Sequence, residues 1–185
     1  MRHQKTPYTP GRRAYPAIPP DLRDSLQAIP PSADGKFQYR PCSVVLKDRT
    51  TVPCVYVTEA QSYIDVWGVW PEDDKGKLHI SILDVTRIAE SPLRLPPQFA
   101  NQLYRAGESG MGYCIFTVLF SDGTKQVCLS GNAIDFIQLP PDKSVTDIAG
   151  VIPHQGRNEP YVQAPAYFWC LYGEGASALG SPSLP

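Results

Sequence analysis

The chain has no excess of charge, no C-x-x-C pair, no long hydrophobic run and only three histidines in 185 residues. Each shortage closes a route to function. With 17 basic and 18 acidic side chains the formal charge is −1, which removes the strong electrostatic attraction that a dedicated duplex-DNA binder needs. A local basic patch stays compatible with that balance. No apolar run approaches the roughly 20 residues that span a bilayer; the most apolar piece near the C-terminus, Ala166–Tyr172, is far too short. Arg2 to Pro20 is polar and proline-rich, unlike a secretory leader.

The five cysteines, Cys42, Cys54, Cys114, Cys128 and Cys170, are odd in number and spaced too irregularly for a structural zinc site. A two-residue turn at Asp122-Gly123 would set Cys128 opposite Thr117, and the same count around Asp48-Arg49 sets Cys54 opposite Ser43. Cross-strand bridges between Cys42 and Cys54 or between Cys114 and Cys128 are therefore not expected. Thiols packed as small hydrophobes in a reducing cytoplasm are the reading that results.

Catalytic signatures are absent as well. A thiol nucleophile needs a neighbouring base, yet His3 and His154 fall in the proline-rich ends and only His79 lies on an expected strand. Ser81 and Asp84 are near it, so His79 is the one place where an enzymatic site is weighed. Glu72-Asp73-Asp74 suits a solvated turn and lacks the alternating ligands of a calcium loop. Gly107, Gly110 and Gly112 have no following lysine and no helix aimed at a phosphate. No metal and no cofactor is expected.

What the sequence does have is β-pattern between proline-rich ends. Hydrophobic residues are 42% and charged residues 19%, a globular balance. The 20 prolines are about twice ordinary usage and crowd both ends, which excludes long helices and central strands there. Residues 1–36 read as an arm, basic at Arg2, His3, Lys5, Arg12 and Arg13 with Tyr8 and Tyr15 between. Such an arm is either a contact for nucleic acid or an acidic partner, or a solvated tail. A short helix follows at Asp21–Ile29, where Leu22, Leu26 and Ile29 share a face.

A first β unit is expected over 37–92. It holds Cys42–Thr58 turning at Asp48-Arg49, a hairpin of Tyr63–Trp70 with Leu78–Leu83, and a short strand at Thr86–Ala89. Residues 93–112 form a helical connector opened by Pro96-Pro97 and closed by Gly107. A second β unit over 113–152 holds Tyr113–Phe120, the turn Asp122-Gly123, Lys125–Leu129 and a strand at Ala133–Leu139. Ser144 and Asp147 cap a brief helix ended by Gly150. Residues 153–185 read as a proline- and aromatic-bearing tail.

The halves look alike: Val45–Thr50 stands beside Leu119–Thr124, a cysteine follows each threonine by four residues, and each half later reaches Leu-Pro-Pro, at Leu95–Pro97 and Leu139–Pro141. Cys42 to Ala89 resembles the layout of small five-stranded barrels of the Sm and SH3 kind. Leu129–Ile134 is distantly similar to the second Sm motif, with Ser130 where that motif has a basic residue before its glycine. The resemblance covers about a quarter of the chain and implies a small barrel, or with the second unit a sandwich.

Aromatic residues supply the remaining candidates. Tyr63, Trp67 and Trp70 crowd the first unit, while Tyr167, Phe168 and Trp169 crowd the tail. An apolar tail outside the core must cover its own barrel, another copy or a different protein. The expected function is a non-enzymatic protein-interaction or assembly module docking through its arms and aromatic tail, with self-association included. The alternative is single-stranded RNA or DNA binding, with Tyr63, Trp67 or Trp70 stacking on bases and Arg12, Arg13, Arg40 and Lys47 on phosphates. An enzyme with a site around His79 is the third reading.

Overall fold

The protein is seen in a computed structural model that describes residue 11 and residues 13–173. Of the basic arm, Arg2, His3, Lys5, Tyr8 and Arg12 lie outside the described residues. In chain order the elements are helix α1 (Pro20–Gln27), strands β1 (Ser32–Asp34), β2 (Phe37–Leu46) and β3 (Thr51–Glu59), helix α2 (Ala60–Trp67), strands β4 (Leu78–Ser81) and β5 (Val85–Glu90), helix α3 (Pro97–Ala106), then strands β6 (Cys114–Phe120), β7 (Lys125–Ser130), β8 (Ile148–Pro153), β9 (Val162–Gln163) and β10 (Phe168–Tyr172). The fold is mainly β. Among the described residues no helix is long and apolar enough to cross a membrane.

Two hairpins seed two sheets. In each, the amide before the loop donates to the carbonyl after it, Leu46 to Thr50 and Phe120 to Thr124, both at 2.9 Å. Each loop therefore has three residues, Lys47-Asp48-Arg49 and Ser121-Asp122-Gly123, and the third is left-handed, with φ of 70° at Arg49 and 85° at Gly123. The central aspartate of each accepts the threonine amide, Asp48 from Thr50 at 2.8 Å and Asp122 from Thr124 at 3.0 Å. The extra loop residue moves the expected register by one: Cys128 faces Phe116, and Val127 faces Thr117. The cysteines stay unpaired and buried, all five of them.

The larger sheet runs β1-β2-β3-β10-β4, with β5 also pairing β2; the smaller runs β8-β6-β7-β9. Neither closes into a barrel, so the small-barrel layout expected of the first unit is not what forms. The strand expected at Tyr63–Trp70 is instead the helix α2. Glu59 caps it by accepting the amides of Gln61 and Ser62 at 2.8 and 2.7 Å, and Gly68 ends it at φ 67°. Tyr63, Ile64 and Trp67 then fall on one helical face, so β4 has no hairpin partner and pairs parallel with β10.

The strand expected at Ala133–Leu139 is an irregular crossing segment joined to residues 93–95 by an isolated bridge, Arg94 with Phe136. Its apolar run reflects cover on both sides: Ala133 and Phe136 join the core of the larger sheet, Ile134 and Ile137 that of the smaller. Gly150 closes no helix; Val145–Asp147 is a single 3-10 turn, and Gly150 lies inside β8. The Leu-Pro-Pro segments are not equivalent either, since β5 precedes the first and β8 follows the second.

Core packing explains the layers. One face of the larger sheet, with Cys42, Val44, Val55, Val57 and Cys170, is covered by Leu22, Leu26 and Ile29 of the α1 region. The other, with Tyr39, Tyr56, Trp169 and Leu171, is covered by α2 and the crossing segment. The smaller sheet packs Phe116, Val118 and Cys128 against Ala100 and Leu103 of α3. The segment read as an aromatic tail is thus an interior strand: β10 lies between β3 and β4.

Candidate functional site

Alternation along β10 decides what its aromatics do, because successive side chains leave a strand on opposite faces. Phe168 joins the α1 side, half-buried, while Trp169 joins the α2 side at 1% exposure. Around the Trp169 ring stand Tyr63 at 5.0 Å, Tyr56 at 5.1 Å, Trp67 at 5.7 Å and Tyr167 at 5.9 Å between centroids. The structure therefore brings Tyr63, Trp67, Tyr167 and Trp169 together, as a core cluster. Tyr63 is 0% and Trp70 4% exposed, so two of the three rings expected to stack on bases are inside the protein, while Trp67 is half-buried.

Lys77 closes this cluster toward solvent. Its Nζ lies 3.7 Å over the Trp67 ring, donates to the Tyr63 hydroxyl at 3.0 Å and is 3.8 Å from Asp74. Partial burial holds the Lys77 amine below its ordinary pKa, with the Asp74 charge opposing.

His79 belongs to a second place, a cleft of about 430 Å³ on the Trp169 side of the larger sheet, and Trp70 lies buried behind the arm that walls it. Trp169 and Leu171 lie at its base, His79 and Ser81 of β4 form one wall, and Arg13 to Pro16 with Pro71 and Glu72 form the other. The arm making that wall is tied down at four points. Trp70 Nε1 donates to the Gly11 carbonyl at 2.8 Å, and the Tyr15 ring lies 5.2 Å from Trp70. Arg13 reaches Glu72 at 3.3 Å and Asp73 at 2.6 Å. The Gly173 amide donates to Pro16 C=O at 2.9 Å. A side chain at Gly173 would meet the Tyr15 carbonyl at 2.3 Å, so that crossing requires glycine.

Chemistry in the cleft is limited by prior engagement. Glu72 Oε2 accepts the Tyr15 hydroxyl at 2.9 Å and carries the Arg13 ion pair. Burial and then that bond push the Tyr15 phenol above its ordinary pKa. His79 is exposed and its imidazole makes no hydrogen bond or ion pair among the described residues, so neither Ser81 nor Glu72 is paired with it. Tyr15 and Glu72 carried no signal as site residues in the sequence, being 57 positions apart.

Two polar groupings lie elsewhere. Ser109 Oγ is 2.9 Å from His154 Nδ1, and His154 Nε2 is 3.2 Å from the Ala106 carbonyl. Ser109 Oγ also accepts the Ile115 amide at 2.9 Å, so the hydroxyl stitches the 107–113 loop to the start of β6. At the junction of the two sheets Asp135, fully buried, accepts from Ser32 and, at 2.6 Å, from Tyr104. Its amide takes the Tyr56 hydroxyl oxygen at 3.1 Å. Among the described residues no cluster of His, Cys, Asp or Glu is placed to hold a metal ion.

Comparison with protein-family models, with curated proteins and with solved structures returns no match.

Proposed function

We propose that the chain is a non-enzymatic protein-interaction module that takes an extended segment of a partner into the cleft between its N-terminal arm and the edge strand β4. The observation that carries this is the position of the cleft beside a strand with no outer neighbour among the described residues. An open strand edge offers backbone donors and acceptors to an added chain, and flanking pockets take alternate side chains. Exposed Leu78, which opens β4, and exposed Leu83, in the 3-10 turn just after it, add apolar contact. Docking thus moves from the aromatic segment, which is interior, to the arm and the strand beside it. The reducing cytoplasm suited to five unpaired thiols belongs to the same proposal.

The test is to pan displayed random dodecapeptides against the full chain and measure the enriched peptides on Ser81→Trp, which fills the cleft from an exposed position. Affinity in the micromolar range, weakened about tenfold or more by the tryptophan, supports the reading. Failure to enrich any peptide defeats it, and salt-sensitive binding of single-stranded oligonucleotides with quenched tryptophan emission would replace it.

A further inference from the structure

We infer that the two sheets repeat one unit, and that the outer edge of β9 is a second docking edge, taking a partner strand where β4 sits beside β10. Both hairpins share the three-residue loop described above. In both, the third strand enters from a 3-10 turn whose last carbonyl accepts the first loop amide: Asp84 from Lys47 at 2.9 Å, Asp147 from Ser121 at 2.8 Å. Both third strands show a register shift at the residue before the loop, Leu46 with Val85 and Phe120 with Ile148.

The fourth strands match as well. β10 begins at Phe168 opposite Val55, the partner of Cys42, and β9 begins at Val162 opposite Cys128, the partner of Phe116. Both run parallel to their neighbour. The larger sheet then continues to β4, also parallel, whereas among the described residues the smaller stops at β9.

That edge has the features of a vacant ladder. In a parallel pair alternate residues turn their backbone groups away from the neighbour. The Ala164 amide donates to Leu129 at 2.8 Å, so the N–H and C=O of the intervening Gln163 face outward. Tyr161 is 54% exposed just before it. A recess of about 250 Å³ lined by Lys77, Leu78, Ser130, Gly131 and Gln163 lies at its far end. At the opposite edge Gln102 of α3 donates to the Val151 carbonyl of β8 at 3.3 Å, which engages one of its outward groups. β4 shows what the vacant place accepts: Leu78 and Ile80 alternate with His79 and Ser81, the apolar member beside Phe168. The occupant is therefore an extended segment of a protein partner with alternating apolar and polar residues, an apolar one lying beside Val162.

The same panned dodecapeptides test this on the full chain with Gln163→Pro, which removes the outward donor. The expected result is peptides of alternating pattern whose affinity falls about tenfold or more in that variant. In the unaltered chain they should slow exchange of the Gln163 amide, a readout that stands if the proline variant fails to fold. Peptides weakened by Ser81→Trp but not by Gln163→Pro, with Gln163 exchange unchanged, overturn the β9 site while leaving the cleft reading intact. Concentration-dependent dimerisation that Gln163→Pro abolishes also overturns it, by making a second copy the occupant. Failure to enrich any peptide removes both.

Discussion

At the scale of single residues, the buried carboxylate of Asp135 carries the clearest consequence. It receives Ser32 and Tyr104, while Arg94, beside Ser32 at 3.3 Å, offsets part of its burial. Asp135→Ala leaves those hydroxyls and the guanidinium under-satisfied and should lower stability by about 3 kcal/mol, read from urea unfolding. Burial raises the Asp135 pKa above its ordinary value, against hydrogen bonds and Arg94 that lower it. The folded state then holds the proton to higher pH than the unfolded chain. The resulting stabilisation is full below an unfolded value of about 3.9 and lost as pH rises through the raised folded value. The stability difference between the unaltered chain and Asp135→Asn should therefore shrink as pH rises from about 4; a difference independent of pH would contradict this.

The thiols belong to the same scale. Burial pushes Cys54 up to about 11 and Cys170 up to about 12, and all five cysteines are buried. A thiol-specific reagent should label none in the native chain and five after denaturation; rapid native labelling of even one would show an opening that this packing does not allow. Strand geometry in the sequence already spoke against bridges among the four hairpin cysteines, with a pairing one position out, whereas Cys170 falls in the segment read as a tail and becomes a core residue only through β10.

At the scale of elements, the two hairpin loops make a matched experiment. Arg49 adopts a left-handed backbone that Gly123 adopts in the equivalent place, and a side chain there costs about 1 kcal/mol. Arg49→Gly should stabilise and Gly123→Ala destabilise by about that much; equal and opposite shifts in the unfolding midpoint are the outcome to check. The hairpins, α1 and α3 were legible because local signals agree: Asp-Gly at a turn, Pro-Pro opening a helix, and leucines sharing a face. α2 was not, because Tyr63, Ile64, Val66 and Trp67 suit a strand by residue type. Only the Glu59 cap and Gly68 mark the helix, and those signals are weaker than a run of β-formers. The cleft was less legible still: His79 was the one of its residues singled out, while Tyr15 and Glu72, which hold the wall, lie far apart in the chain.

At the scale of the whole molecule, β10 ties the fold together. It joins β3 to β4 by two parallel ladders and seats Trp169 among the core aromatics, so a chain ending at Ala166 should lose near-ultraviolet circular dichroism and cooperative unfolding altogether. Retention of both would mean that the segment is peripheral, as a proline-bearing tail suggests. Composition, patterning and turn chemistry determined by themselves that the chain is mainly β, that it holds two similar hairpins and that the four cysteines of those hairpins are not bridged, because those properties follow from neighbours within a few residues. The tertiary structure alone decided that the aromatic segment is an interior strand and that an arm, a turn and a strand edge enclose a cleft. Parallel pairing of β10 with β3 joins residues 113 positions apart (Phe168 with Val55), and nothing in local sequence encodes which strand a late segment will lie beside.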